Sequence, residues 1–161
     1  MENPSQFIQA IKRVPLFHGL KTDQAITLIK ISERMVLEPR TALCHYGDPS
    51  QDMYILLSGR LSVRTAKDVQ VAIIEPIAPV GEMGLITGEP RSATVIVSDK
   101  ATLLIFNKLY FDNLMRRNPD IELMISRNII TTLSHRLRAA NNEIAYLQSL
   151  ITDNETNDTE T

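Results

Sequence analysis

The chain has little aromatic or sulfur chemistry. It contains no tryptophan and one cysteine, and aromatic residues make up 5% of its 161 positions. A core therefore has to be built mainly from aliphatic side chains, which dominate the 43% of hydrophobic residues. The single cysteine, Cys44, cannot form a disulfide within the chain, which fits a reducing compartment. The length suits one domain with a hydrophobic core rather than two.

Long apolar runs and a strong net charge are also missing. No stretch approaches about 18 uninterrupted apolar residues, so no membrane-spanning helix is expected. Residues 1–6 have no basic segment followed by an apolar run, which argues against a signal peptide. The formal net charge of −2 gives no bulk electrostatic reason to bind nucleic acid. The sequence thus predicts a cytoplasmic protein that binds neither a membrane nor nucleic acid.

Residues arranged for catalysis or metal binding are equally scarce. His18, His45 and His135 are scattered, and no cysteine or carboxylate stands at a metal-ligand spacing from them. No serine has a plausible base for a catalytic triad. A cupin-type metalloenzyme is therefore a poor alternative, which metal analysis of the purified protein would decide. We expect no metal and no enzymatic activity.

The apolar pattern changes character twice along the chain. Residues 1–34 have helical spacing, with Thr22 as an N-cap. Residues 35–107 contain about seven or eight short strand patterns, separated by turn signals roughly every ten residues. Residues 108–151 return to helical spacing, and the polar, acidic residues 152–161 are predicted to be disordered. The predicted fold is α+β and mainly β: an antiparallel β-roll or jelly-roll barrel with N-terminal helices and a long C-terminal helix.

Turn signals and prolines divide the predicted strands. Ser58-Gly59 and residues 98–100 are expected to reverse the chain. Pro76 and Pro79 are expected to break it before residue 81.

The long C-terminal helix carries an apolar seam. No glycine or proline occurs from residue 120 to about residue 151, and Asn118-Pro119 is a helix-start signal. Seven residues recur at alternating intervals of three and four: Ile130, Leu133, Leu137, Ala140, Ile144, Leu147 and Ile151. This heptad favours a parallel two-stranded coiled coil, so a homodimer through residues 130–151 is predicted. The alternative is that the seam packs on the chain's own domain.

The most unusual chemistry lies in segment 81–95. Its glycines permit close backbone approach, and a short helical turn starting at Glu82 would present amides that attract an anion. Arg91 offers a permanently charged, bidentate donor for a phosphate, and Ser92 adds a hydroxyl. A carboxylate beside a phosphate suits the hydroxyls of a sugar. These residues therefore indicate a nucleotide with one compact phosphate. The alternative is that Glu82 and Arg91 form a structural ion pair.

Segment 81–95 resembles the phosphate-binding cassette of cyclic-nucleotide-binding domains, which occur in catabolite-activator-type regulators and protein kinase A regulatory subunits. The residues that carry the resemblance are Gly81-Glu82-Met83-Gly84-Leu85 and Pro90-Arg91-Ser92-Ala93. The resemblance implies that Glu82 and the amide of Gly81 bind the ribose 2′-hydroxyl. It also implies that Arg91 binds the exocyclic oxygens of the cyclic phosphate, together with the amides of Gly84 and Ser92. Ligand contacts are thus expected at Gly81, Glu82, Met83, Gly84, Arg91, Ser92 and Ala93.

The resemblance also implies a seat for the base. A serine after the arginine, here Ser92, accompanies cAMP in part of the family, although its hydroxyl could also bond the amino group of cGMP. The base is expected to rest on a strand at Val71. The long helix is expected to cover it with Arg136, Leu137 and Asn141.

Two positions depart from the family pattern. Pro39-Arg40 stands in a turn where the family usually has a glycine, and Ile77 stands where another glycine is common. Neither position is expected to touch the ligand, so the departures concern local loop shape.

Taken together, the residues predict a stand-alone cyclic-nucleotide sensor that dimerises and signals through its long helix to a protein partner. Transcription factors of the family carry a helix-turn-helix after this helix. About ten residues follow the seam here, so DNA binding is not expected. The alternative is a degenerate module that binds no ligand and acts as a protein-interaction domain.

Overall fold

The computed structural model describes residues 4–49 and 51–158, in which helices pack against an antiparallel sheet. The N-terminal elements are α1 (Pro4–Arg13), a short 3-10 helix (Pro15–Phe17) and α2 (Thr22–Lys30). The N-cap of α2 is Lys21, so the prediction of Thr22 as N-cap was wrong. The backbone N–H of Lys21 donates to Gln24 Oε1 at 2.9 Å, which satisfies a polar group at the helix start.

In the described residues the sheet has six strands. They are β1 (Ser32–Leu37), β2 (Ala42–Cys44), β3 (Met53–Arg64), β4 (Gln70–Ile74), β5 (Ala78–Val80) and β6 (Thr94–Phe106). The strand order is β1-β6-β3-β4, with β2 also pairing β6 and β5 also pairing β3. Every pair is antiparallel. Within the described residues the end strands β1 and β4 do not pair with each other, so the sheet is an open roll rather than a closed barrel.

Two long strands replace four of the short strands predicted from the sequence. β3 continues through Ser58-Gly59 and β6 continues through residues 98–100, where turns were predicted. The pairing register of β3 with β6 shifts between Leu56 and Leu61, so the chain bends there without leaving the sheet. A Cβ atom on Gly59 would lie 2.4 Å from the Lys100 carbonyl oxygen. The glycine therefore allows the bent strands to approach closely, instead of reversing the chain.

β5 is a strand that the sequence analysis missed. Pro79, which was expected to break the chain, lies within β5 and opposite Ile55 of β3. Proline has no N–H to donate, but it is tolerated in a strand that pairs on one side only. In the described sheet, β5 pairs with β3 alone.

β3 separates two apolar cores. Met53 and Ile55 face a core that the helices complete, whereas Tyr54 and Leu56 face the interior of the roll. All four side chains are at most 8% exposed, so this half of the strand is buried on both faces. Residues of the roll interior flank segment 81–95 at both ends. The segment is thus anchored to the interior of the roll at both ends.

Two helices follow the sheet: α4 (Lys108–Arg117) and α5 (Pro119–Asp158). Pro119 is the first residue of α5, as the sequence indicates. The side-chain amide of Asn118 instead donates to the Leu114 carbonyl oxygen at 2.9 Å, so it satisfies a polar group in the last turn of α4. α5 runs without a break to Asp158, the last residue that the structure describes, so the described residues contain no helix-turn-helix beyond it.

α5 leaves the domain after its first turns. Ile121 and Ile125 are each 3% exposed, whereas every side chain of residues 134–150 is exposed. This part of the seam therefore does not pack on the chain's own domain. The backbone of residues 152–158 is helical where disorder was predicted, since no glycine or proline ends the helix, and residues 159–161 lie outside the described part. No helix within the described ranges is long and apolar enough to cross a membrane.

The turn between β1 and β2 makes a prediction about stability. Arg40, at the position where a glycine is usual, has a φ of 71°. A residue with a Cβ atom loses about 1 kcal/mol in this left-handed conformation, and glycine does not. We therefore expect Arg40→Gly to raise the free energy of unfolding by about 0.5–1 kcal/mol in urea titrations. The backbone hydrogen bond from Arg40 N to the Val97 carbonyl oxygen, 2.7 Å long, does not depend on the side chain.

The matched control is Arg127→Gly. Arg127 is exposed within the helical part of α5, where glycine should lower the free energy of unfolding by about 1 kcal/mol. Equal destabilisation by both substitutions would contradict the assignment of strain to Arg40.

Candidate functional site

Glycines give segment 81–95 its shape. β5 ends at Val80, and Gly81 then turns the chain with a φ of 80° into a short helix, α3 (Glu82–Thr87). Gly88 closes the helix with a φ of 74°, and its N–H donates to the Gly84 carbonyl oxygen at 3.1 Å. The chain then runs through residues 89–93 into β6. Glycine is suited to both ends of the helix because both have left-handed backbone.

Arg91 is the buried charge of the segment. Its side chain is 6% exposed, and its guanidinium lies 5.5 Å from the centre of the Tyr54 ring. Nη2 donates to the Asp52 carbonyl oxygen at 2.5 Å, and Nη1 donates to the Gly81 carbonyl oxygen at 3.4 Å. The backbone is fixed as well, because Arg91 N donates to the Asp48 carbonyl oxygen at 2.9 Å. These contacts hold both the side chain and the backbone of the arginine in place.

Gly81 must lack a side chain for this arrangement to exist. A Cβ atom there would lie 1.9 Å from Arg91 Nη1 and 3.0 Å from the Asp52 carbonyl oxygen. The close approach brings the backbone of residue 81 beside the guanidinium. Gly81 and Arg91, ten positions apart in sequence, thus form one wall of a site.

That wall belongs to a cavity of about 220 Å³. Its lining consists of Cys44, Val63, Ile74, Pro79, Val80, Gly81, Glu82, Arg91, Ser92, Ala93, Val95 and Arg136. Its apolar lining comes mainly from the strands, and its charged groups come from segment 81–95 and α5. A flat apolar group and an anionic group could therefore bind side by side.

α5 reaches this cavity through an ion pair. Arg136 Nη1 lies 2.5 Å from Glu82 Oε1, and the Glu82 side chain is 16% exposed. The Arg136 side chain is 56% exposed, so the pair sits at the mouth of the cavity. This ion pair links Glu82, at the start of α3, to α5, which begins much later in the sequence.

The structure brings together most of the residues predicted for the site. The lining includes Gly81, Glu82, Arg91, Ser92, Ala93 and Arg136. Met83 instead lines an adjacent cavity of about 100 Å³, which shares Pro79, Glu82 and Arg136 with the first. Gly84 is buried within α3.

The other predicted base contacts lie elsewhere. Val71 on β4 is 59% exposed and is not part of the lining. Leu137 is 63% exposed, Asn141 is also exposed, and neither lines the cavity. In this structure the strands contribute Val63 and Ile74 instead.

Several apolar residues that line the cavity were not predicted from the sequence. Val63, Ile74 and Val95 come from three different strands, and Cys44 comes from a fourth. The alternation of β3 and β6 could have indicated Val63 and Val95, because alternate residues of each strand face the roll interior. Nothing in the sequence says which face of β4 points inward.

Cys44 provides a neutral part of this wall. Burial raises the pKa of its thiol above the ordinary value, and the guanidinium of Arg91 opposes this shift with a smaller effect. The Sγ atom lies 3.7 Å from the Ala93 carbonyl oxygen, to which it donates. The thiol is therefore protonated at neutral pH and acts as a small apolar surface.

Residues suited to a metal ion do not cluster here. In the described ranges, no group of three or more histidine, cysteine, aspartate or glutamate residues is arranged to hold a metal. The chemistry of the cavity consists of two guanidinium groups, a carboxylate, the Ser92 hydroxyl, the Cys44 thiol, backbone groups and apolar side chains.

Comparison with known proteins bears directly on this cavity. A family model of the cyclic nucleotide-binding domain matches residues 34–118. A cyclic nucleotide-gated potassium channel of Mesorhizobium japonicum is 31% identical over 132 residues, which cover 82% of this chain and 36% of the channel. The crystal structure of the catabolite activator protein of Thermus thermophilus matches with a TM-score of 0.72 and 28% identity, over 83% of this chain and 63% of that one.

The regulatory domain of protein kinase A from Toxoplasma gondii, crystallised with cAMP, shares the fold. Its TM-score is 0.65 at 24% identity, over 70% of this chain and 46% of that one. The chain thus spans less than two thirds of each of these relatives, and the likeness concerns this domain. The family model covers more than half of the chain and includes all of segment 81–95. The chain therefore belongs to the cyclic nucleotide-binding domain family.

Proposed function

We propose that this chain binds a cyclic nucleotide, cAMP in preference to cGMP, and acts as a non-catalytic sensor. The observation that carries the proposal is that Arg91 and Glu82 line one cavity from separate positions, beside an apolar wall. Arg91 suits the cyclic phosphate, because its guanidinium is a permanently charged, bidentate donor that lines the cavity. The apolar wall suits a purine.

Glu82 suits the ribose, and its bond to Arg136 suggests how occupancy is reported. A ribose 2′-hydroxyl would donate to the carboxylate that Arg136 now holds. The ligand must therefore share Glu82 with Arg136 or displace it. Either change alters a contact that fixes α5, so binding shifts the balance between two placements of that helix.

The base is proposed to lie against Val63 and Ile74, with Ser92 beside it. Leu137 and Asn141 remain candidates for its cover, but both are exposed in the present position of α5. They would reach the base only if the helix turned or moved towards the cavity. Val71 would likewise need a change in β4. The preference for cAMP rests on Ser92 and on the family resemblance.

The exposed seam of α5 is proposed to form a homodimer. Ile130, Leu137, Ile144 and Leu147 are each between 51% and 67% exposed. Such a row at heptad spacing is costly in water and is covered when two helices coil together. The signal would then pass through α5 to a protein partner.

The first prediction concerns the phosphate. We expect Arg91→Ala to weaken cAMP binding about 100-fold or more in calorimetry, because it removes two charged donors to the phosphate. The matched control is Arg60→Ala, since Arg60 pairs with Asp99 at the surface and lies outside the cavity lining.

Two results would decide against the proposal. The first is that the wild-type protein binds neither cAMP nor cGMP, and the second is that Arg91→Ala binds as well as wild type. The first result would favour a ligand-free protein-interaction domain, in which Arg91→Ala also leaves partner binding intact.

The second prediction concerns the ribose. The analogue 2′-deoxy-cAMP lacks the hydroxyl that Glu82 is proposed to accept, so it should bind about tenfold more weakly than cAMP. In Glu82→Gln the two ligands should differ much less, because the charged acceptor is gone. Calorimetry of both ligands on both proteins measures this coupling. An unchanged ratio in Glu82→Gln would show that the carboxylate does not bind the ribose.

The third prediction concerns the seam. Wild-type protein should sediment as a dimer, and Ile144→Glu should sediment as a monomer because it places a charge in the apolar seam. Thr131→Glu adds the same charge on an exposed face of α5 outside the seam and should remain dimeric. A monomeric wild type, or an Ile144→Glu variant that stays dimeric, would exclude this seam as the dimer interface.

A further inference from the structure

Asp52 connects the phosphate site to the start of α4. It is the residue directly before β3, and its carbonyl oxygen accepts the 2.5 Å hydrogen bond from Arg91 Nη2. Its carboxylate faces the other way. Oδ1 accepts from Asn107 Nδ2 at 3.1 Å and from the backbone N–H of Lys108 at 3.3 Å. One residue thus holds both the guanidinium of Arg91 and the first turn of α4.

Lys108 holds the other side of the same site. Its Nζ donates to the carbonyl oxygen of Leu85 in α3 at 2.7 Å and lies 3.1 Å from Asp112 Oδ2. Leu85 is in the last turn of α3, where carbonyl groups lack a partner within the helix. The Lys108 side chain is 25% exposed, so this charge is partly shielded from water. The ammonium therefore supplies the acceptor of Leu85 with a strong donor.

These contacts converge on one turn of helix. The first turn of α4 contacts α3 through the Lys108 ammonium. It also holds the carboxylate of Asp52, whose carbonyl oxygen accepts from Arg91. α3 lies at the start of segment 81–95, and Arg91 lies near the end of the segment. The two contacts therefore fix the separation between the two halves of the segment. Hydrogen bonds to a phosphate tolerate errors of only a few tenths of an ångström, so this separation matters for affinity.

We propose that Asp52 and Lys108 are positioning residues for the phosphate site, which they serve without touching the ligand. The inference rests on the proposed binding of a cyclic nucleotide. Asp52 aims the guanidinium of Arg91, and Lys108 holds α3 at the matching distance. Neither residue lines the cavity, so both act through their neighbours.

The test removes each of these two contacts and measures the environment of the phosphate directly by its ³¹P resonance. We expect Lys108→Met, which keeps the aliphatic stem, to raise the Kd for cAMP about tenfold in calorimetry. Asp52→Ala should have a similar effect. The ³¹P resonance of bound cAMP at saturating concentration should move towards that of free cAMP in both variants. Lys108→Arg, which keeps a charged donor, should restore most of the affinity and the ³¹P shift.

Matched controls make the same chemical changes at the surface. Lys100→Met removes an exposed lysine that pairs with Glu38, and Asp99→Ala removes an exposed aspartate that pairs with Arg60. Both should keep the wild-type Kd and ³¹P shift. Circular dichroism identifies any variant that fails to fold. Asp52→Ala and Lys108→Met test the two contacts independently.

The outcomes separate this inference from the proposed function. If the wild-type protein binds no cyclic nucleotide, the proposed function fails and the inference falls with it. If the wild-type protein binds cAMP but Lys108→Met and Asp52→Ala leave both the Kd and the ³¹P shift unchanged, only the positioning role is overturned. The same conclusion follows if Lys108→Arg is as defective as Lys108→Met.

Discussion

The arrangement of this domain depends on one buried cation. The guanidinium of Arg91 is 6% exposed and is held by the carbonyl groups of Asp52 and Gly81. Burying a charge is costly unless polar groups surround it, so the position of this guanidinium constrains the groups around it. Three features surround this side chain: the left-handed turn at Gly81, the ring of Tyr54 and the loop that ends at Asp52.

Segment 81–95 could be interpreted from the sequence because its chemistry is local. Gly81, Glu82, Arg91, Ser92 and Ala93 lie within 13 positions, and all five line one cavity. The contact between Glu82 and Arg136 spans 54 positions and depends on how α5 packs, which no local pattern records. The contacts of Asp52 and Lys108 could not be predicted for the same reason, because they form only when distant segments meet.

The strands show a different limit of sequence analysis. Gly59 was interpreted as a turn, because the sequence does not reveal that a neighbouring backbone lies against it. In β4 the outward face, Val71 and Ile73, is at least as apolar as the face of Gln70, Ala72 and Ile74, so hydrophobicity does not identify the inward face. Val71 and Ile73 are 59% and 45% exposed, whereas Ile74 lines the cavity. Packing against β3, rather than hydrophobicity, sets the orientation of the strand.

The length of α5 has a mechanical consequence. A helix rises about 1.5 Å per residue, so Asp158 lies about 33 Å beyond Arg136 along the axis. The side chains of residues 134–150 are all exposed, so little of the domain restrains this projecting part. A tilt of about 10° at Arg136 would displace the far end by about 6 Å. Under the proposed function the helix would therefore act as a lever arm that pivots at the Glu82–Arg136 contact, and a change the size of one hydrogen bond would move its far end by about the length of a side chain.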